Sequence, residues 1–209
     1  MPNSGYPETR AAMAKKTGIE QGMEIDFSNV VMAVGAAGAI NATLKALLND
    51  GDQLIVPCPY FAEYGHYVHN HNGEIVGVKT KDDFSLDTDV IRDALNEKTA
   101  AILLNSPNNP TGRIYSDEDI DNLVKVLKDH GKKTGRYPYI ILDEPYRAIT
   151  YDGKKVAPVF PKYEYSVVVT SFAKNLSLPG ERIGYICVNP KNPEAKDFIA
   201  AATFSTRVL

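Results

Sequence analysis

VVVTSFAKNLSLPGERIGYICV, residues Val167 to Val188, is the stretch on which the fold turns. It opens on an apolar β-branched run, Val167-Val168-Val169, and closes on a second apolar run, Ile183 to Val188. It therefore reads as two strands joined by a polar connection containing Pro179 and Gly180. Neither run alternates. A strand that is apolar at every position is buried on both faces, which happens where helices cover each side of a sheet. The first of these two strands is expected over Tyr165 to Thr170, and working outward, further strands are expected at Asn29 to Val34, Gln53 to Val56, Glu74 to Val78, Ala100 to Leu104 and Tyr139 to Leu142, several of them equally unbroken.

Helical stretches fall between these runs. TRAAMAKKTG, after Pro7-Glu8, reads as a short capped helix closing on Gly18, and others are expected over Ala37 to Leu48 and Asp87 to Leu95. Ser116 caps an amphipathic helix with Ile120, Leu123, Val124 and Leu127 at i, i+3, i+4 and i+7, acidic residues in its first turn and Gly131 at its end. A last helix starts after Pro193. Strands alternating with helices make a doubly wound α/β sheet.

Composition narrows the function. The chain has 209 residues, 44% hydrophobic and 23% charged, which suits one sizeable globular domain. A formal net charge of -3 with no polybasic block argues against nucleic acid as the main partner and favours a small-molecule ligand. Cys58 and Cys187 are the only cysteines, far apart and without metal-ligand spacing, so neither a disulfide framework nor a metal site is expected and a reduced, cytoplasmic compartment fits. The first residues, MPNSGYPETR, lack the apolar core of a signal peptide, and no run approaches a membrane span. A soluble protein is expected.

Ligands of open α/β sheets bind outside the carboxyl ends of the strands, so the residues that follow each strand carry the chemistry. Gly35-Ala36-Ala37-Gly38-Ala39 joins a strand to a helix, where small residues let backbone N–H groups approach an anion, although such turns also serve packing alone. Pro57-Cys58-Pro59-Tyr60-Phe61-Ala62-Glu63-Tyr64 is a stiffened turn carrying aromatics that either stack on a planar ring or belong to the core. His66, His69 and His71 follow at a spacing that leaves two of them on different helix faces, so no metal site is expected there. After AAILL comes NSPNNPTG, a tightly defined turn in which Asn109 offers an amide donor. After YIIL comes Asp143-Glu144-Pro145-Tyr146; Asp143 either meets a cation or donor or caps a helix, since a bare buried carboxylate is costly. The fifth end is the opening loop, whose Ser171, Lys174 and Arg182 could hold a phosphate and leave one amine free for covalent chemistry.

Together these ends offer an amine, a carboxylate, a phenol, an amide donor, an aromatic plate and a phosphate cradle, the set that pyridoxal phosphate needs. SPNNPTG, DEPY and SFAKNLSLPGERIGY closely resemble the class I/II aminotransferases, the fold-type I pyridoxal-phosphate enzymes related to aspartate aminotransferase. The resemblance covers almost the whole chain, from GYPETR to FSTRVL. It implies a three-layer α/β/α sandwich with a mostly parallel mixed sheet, and a homodimer that moves an amino group from an amino acid to a 2-oxo acid. It further implies that Lys174 forms the internal aldimine, that Asp143 pairs with the pyridinium nitrogen, and that Asn109 and Tyr146 hold the phenolic oxygen. Ser171, Arg182 and the backbone amides of Ala36 and Ala37 would grip the phosphate, and Phe61 would stack on the ring where many relatives carry Trp or Tyr.

Members of that family are roughly twice as long as these 209 residues. The resemblance therefore makes residues 1–209 a pyridoxal-phosphate-binding large domain truncated at both ends, without the N-terminal arm and the C-terminal small domain. Arg207 falls too early to be the family's α-carboxylate-binding arginine, and its phosphate-contacting tyrosine would fall just before Met1. Such a chain is expected to bind the cofactor and to turn over poorly. Two alternatives remain at the level of sequence: a β-lyase acting on sulfur amino acids, and the sensor domain of a transcription regulator with an aminotransferase-like module.

Overall fold

The computed structural model describes every residue after Met1. Its strands are β1 (Val30–Val34), β2 (Gln53–Cys58), β3 (Glu74–Lys79), β4 (Thr99–Asn105), β5 (Tyr139–Asp143), β6 (Ser166–Ser171) and β7 (Ile183–Val188). Its helices are α1 (Pro7–Gln21), α2 (Gly35–Leu47), α3 (Glu63–His69), α4 (Thr88–Ala94), α5 (Asp117–Thr134) and α6 (Ala195–Val208). The strands form one seven-stranded sheet in the order β1-β7-β6-β5-β4-β2-β3. β7 runs antiparallel to both neighbours, β1 and β6, while the β6-β5-β4-β2-β3 pairs are parallel. The architecture is thus α/β with a mostly parallel mixed sheet, as expected.

Alternate residues of the central strands feed two separate cores, one on each face. Ile102 and Leu104 of β4, Ile140 and Leu142 of β5 and Tyr185 and Cys187 of β7 pack with Ala14 of α1, Ile91 of α4 and Leu123 of α5. Ala101, Leu103, Ile141, Ile186 and Val188 pack with Ile40 and Leu44 of α2, Tyr64 and Val68 of α3 and Phe198 of α6. This is the physical content of the unbroken apolar runs: every residue of β4, β5 and β6 is buried because helices lie on both sides. Among the described residues no helix is long and apolar enough to cross a membrane.

Helix ends were the least accurate expectations. α1 continues past Gly18 to Gln21 and is closed by Gly22 at φ 68, a left-handed cap; its N-cap is Tyr6, with no side-chain capping bond. Gly18 instead lies under the returning chain, where a Cβ would sit 2.7 Å from the Met23 carbonyl oxygen. Ser116 does cap α5, in a reciprocal capping box with Asp119. α5 runs through Gly131 and ends at Gly135, φ 80. Gly131 is needed for a different reason: a Cβ there would lie 2.2 Å from Cδ1 of Tyr137, whose ring stacks on Tyr165 at 5.0 Å. Gly131→Ala is accordingly expected to lower stability by roughly 1 to 3 kcal/mol through overpacking, against alanine's better helix propensity. A fall in the urea midpoint would show it, and an unchanged or raised midpoint would contradict it.

Candidate functional site

Because β7 is antiparallel, its start lies at the same edge of the sheet as the carboxyl ends of β1, β2, β4, β5 and β6. That edge holds a cavity of about 240 Å³. Its lining contains all nine residues singled out in the sequence: Ala36 and Ala37 of α2, Phe61, Asn109, Asp143, Tyr146, Ser171, Lys174 and Arg182. A larger and more open depression of about 760 Å³ lies elsewhere, between α1 and the Met23–Asn29 segment, away from these residues.

Asp143 is the last residue of β5 and is only 6% exposed. It does not cap a helix. Oδ2 accepts a hydrogen bond of 2.5 Å from the Tyr64 hydroxyl, and Oδ1, equally buried, has no partner among the described residues. Burial pushes the carboxyl up to about 6, and the Tyr64 bond acts in the opposite direction. A buried carboxylate oxygen without a partner is unusual in a folded chain and fits a donor or cation that arrives from the cavity.

Asn105, opposite Asp143 in the β4–β5 register, ties the next loop to this strand end. Its amide donates to the Asp143 carbonyl oxygen at 2.9 Å, and its Oδ1 accepts from the Asn109 backbone N–H at 2.6 Å. Asn109 is therefore carried on a loop fixed to the floor of the cavity. Beneath Tyr146, Arg147 donates to Glu144 Oε1 at 2.5 Å and to the carbonyls of Glu20 at 2.7 Å and Val156 at 3.0 Å. Burial raises the Glu144 carboxyl to about 7 while Arg147 pulls it down. The Arg147 bond to the Glu20 carbonyl ties this turn to α1.

Lys174 and Arg182 stand at the mouth, both exposed. The Lys174 Nζ lies 5.8 Å from the centroid of the Tyr146 ring. Arg182 has a left-handed backbone, φ 50, and Nη1 donates to the Pro179 carbonyl at 3.1 Å. Its guanidinium lies against Gly35, where an added Cβ would come 2.9 Å from Nη2. Glycine at this turn is required by its left-handed backbone, φ 68, and a cation lying beside the helix N-terminus makes an arrangement suited to an anion. Phe61 meets Tyr64 edge to face, centroids 5.7 Å apart at 80°.

Sequence reading missed Tyr64, Tyr67, Glu63 and Asn105, which also line the cavity. The sequence leaves Tyr64 between ring stacking and core. It is 1% exposed, and yet its hydroxyl is a partner of Asp143. The available signal was its i+3 spacing from Phe61, which fits the turn leading into α3, where the Tyr64 N–H donates to the Phe61 carbonyl. For Asn105 the signal was a polar residue ending an otherwise apolar strand.

The arrangement can be compared with known proteins. Residues 1–207 match the family described as aminotransferase class I and II. The chain is 33% identical over 188 residues to an aspartate/prephenate aminotransferase of Thermus thermophilus, covering 89% of this chain and 47% of that protein. It is 29% identical over 198 residues to a probable aspartate aminotransferase of Methanocaldococcus jannaschii, covering 95% of this chain and 51% of that protein. Among solved structures, an aminotransferase from Eubacterium rectale superposes with a TM-score of 0.96 at 38% identity, over 99% of this chain and 52% of that one. Aspartate aminotransferase from Thermus thermophilus, solved with maleate, gives 0.87 at 32% identity, over 99% of this chain and 52% of that one. The chain thus spans about half the length of the relatives it matches. With a match running from its first residue to within its last helix, and with the strand-end loops that first suggested the resemblance gathered on one cavity, this chain belongs to the class I and II aminotransferase family.

Proposed function

We propose that the chain binds pyridoxal 5'-phosphate in the strand-end cavity and is the cofactor-binding large domain of an enzyme that transfers an amino group from an amino acid to a 2-oxo acid. The observation that carries this reading is Asp143: a buried carboxylate with one oxygen held by Tyr64 and the other without a partner, in the lining that also holds Lys174. A protonated ring nitrogen would supply the missing donor and lower the carboxyl back into its charged form. When bound, the cofactor supplies an electron-withdrawing ring conjugated to the substrate nitrogen.

The chain's own residues would do the rest. Asp143 keeps the ring nitrogen protonated, so negative charge developing at the substrate Cα is withdrawn. Asn109 and Tyr146 hold the phenolic oxygen, and Phe61 covers one face of the ring. Ser171, Arg182 and the first amides of α2, those of Ala36 and Ala37, take the phosphate. Lys174 would attach the cofactor through its amine and, when that amine is free, would carry the proton of the substrate Cα. Arg182 is assigned to the phosphate, so the substrate's α-carboxylate asks for a further cation. Slow transfer by these residues alone is therefore proposed, with a second copy of the chain as the working partner.

A half-reaction tests this. The cofactor-loaded chain is mixed with a panel of amino acids without an acceptor, and 2-oxo acid and pyridoxamine phosphate are quantified over hours. Stoichiometric formation of both, however slow, is expected. Release of the sulfur as a thiol or sulfide together with ammonia and pyruvate from a sulfur amino acid, with the cofactor's aldehyde form regenerated, would point to elimination instead and contradict the proposal.

A further inference from the structure

We propose that Tyr64 is a positioning residue for this chemistry, its hydroxyl fixing one oxygen of Asp143 so that the other is presented to whatever cation enters the cavity. The inference rests on the cofactor reading above and extends it to a residue that would touch no part of the cofactor's reacting atoms. An aspartate carboxylate turns easily about its terminal torsion, which is broad and roughly two-fold. A single hydrogen bond to one oxygen sets the plane of both. Tyr64 makes that bond at 2.5 Å across a separation of 79 residues, and its own ring is locked. It is 1% exposed, meets Phe61 edge to face at 5.7 Å and stacks on Tyr60 with centroids 6.4 Å apart and planes 23° apart.

The bond also acts on charge. Burial favours the neutral form of Asp143, and a donated hydrogen bond favours the anion, so Tyr64 works against the burial that the site imposes. The other titratable groups around this cavity are Glu63 and Tyr67 of α3, Tyr146 after β5, and Lys174 and Arg182 between β6 and β7. Among the described residues, the hydrogen bond to the Asp143 carboxylate comes from Tyr64. Tyr67 gives its hydroxyl to Glu63 instead.

The test compares wild type with Tyr64→Phe, which keeps the ring and removes the donor. In cofactor-free protein carrying 13C-labelled aspartate carboxyls, with the Asp143 resonance identified by its loss in Asp143→Asn, the Asp143 midpoint is expected to rise by about one pH unit or more in Tyr64→Phe. At a pH below the Asp143 midpoint, where the anion is the minor form, the dissociation constant for pyridoxal phosphate is expected to rise about tenfold, since one pH unit in the midpoint is tenfold in the charged fraction, with borohydride still trapping the label on Lys174. An Asp143 midpoint unchanged in Tyr64→Phe, or wild-type cofactor affinity in that variant, would overturn the proposal. Should Tyr64→Phe fail to fold, wild type still decides: the Tyr64 Cζ resonance is expected to shift with the Asp143 midpoint, and its failure to do so would overturn the proposal as well. The titration needs no cofactor, so a wild-type chain that shows the coupling but takes no label on Lys174 would sink the cofactor reading and leave the Tyr64–Asp143 coupling standing.

Discussion

Gly184→Ala is expected to cost the chain about 3 kcal/mol or more, at the upper end of overpacking effects. Gly184 is buried near the start of β7, opposite Ala33 of β1 and Ser171 of β6. A Cβ there would fall 2.5 Å from the carbonyl carbon of Gly35, 2.6 Å from its oxygen and 2.7 Å from the Thr170 carbonyl oxygen. All three are backbone atoms that cannot swing aside as a side chain would. Relief requires β7 to part from the turn that opens α2, and that separation would also pull Arg182 from its place beside Gly35. Loss of soluble folded protein, or a denaturation midpoint far below wild type, is the expected reading; a variant within 1 kcal/mol of wild type, about the size of a single hydrogen bond, would show that the close approach is not required.

Asp143→Asn is expected to separate stability from function. The Asp143 carboxyl is held up at about 6 against 3.8 in the unfolded chain, chiefly by burial. The folded state therefore binds this proton more tightly than the unfolded state. Stability from this group is full below about pH 4, is lost as pH rises toward 6, and stays lost above it, by an amount on the order of 3 kcal/mol. Asparagine still accepts the Tyr64 hydrogen bond but carries no charge to bury. Without cofactor, Asp143→Asn should be more stable than wild type at pH 8, with the difference closing near pH 4. Glu144, whose carboxyl is also raised, is present in both proteins and drops out of the comparison. The same change removes the charge-assisted partner of a protonated ring nitrogen, so the dissociation constant for pyridoxal phosphate should rise roughly 10- to 100-fold. Denaturation midpoints across pH and a cofactor titration check both halves; a variant that is destabilised at pH 8, or that binds the cofactor as wild type does, would contradict them.

The strand-end rule made much of the site legible before any coordinates. Lys174, Asp143, Asn109 and Ala36 each follow an apolar strand directly or within a short loop, and strands of a doubly wound sheet deliver such residues to one edge. Arg182 precedes its strand, and it joins the others only because β7 is antiparallel. Periodicity carries no information on strand direction, but the polar connection that Arg182 shares with Ser171 and Lys174 already places the three within reach of one phosphate. Gly18 and Gly131 misled for a related reason. A glycine can end a helix or give room to a neighbour, and local sequence does not say which; Tyr137 lies over Gly131, and the chain after Gly22 returns over Gly18. Tyr64 was hidden most deeply. Its apolar ring satisfies every expectation for a core residue, and its function rests on one hydroxyl meeting a carboxylate far away in sequence.

The central claim is that the strand-end cavity holds pyridoxal phosphate with Lys174 as the point of attachment. Incubating the chain with the cofactor, reducing with borohydride and mapping the modified peptide by mass spectrometry tests it directly. A single reduced adduct on Lys174, absent from Lys174→Ala, is the predicted result; an adduct on any other lysine, or none, would contradict it.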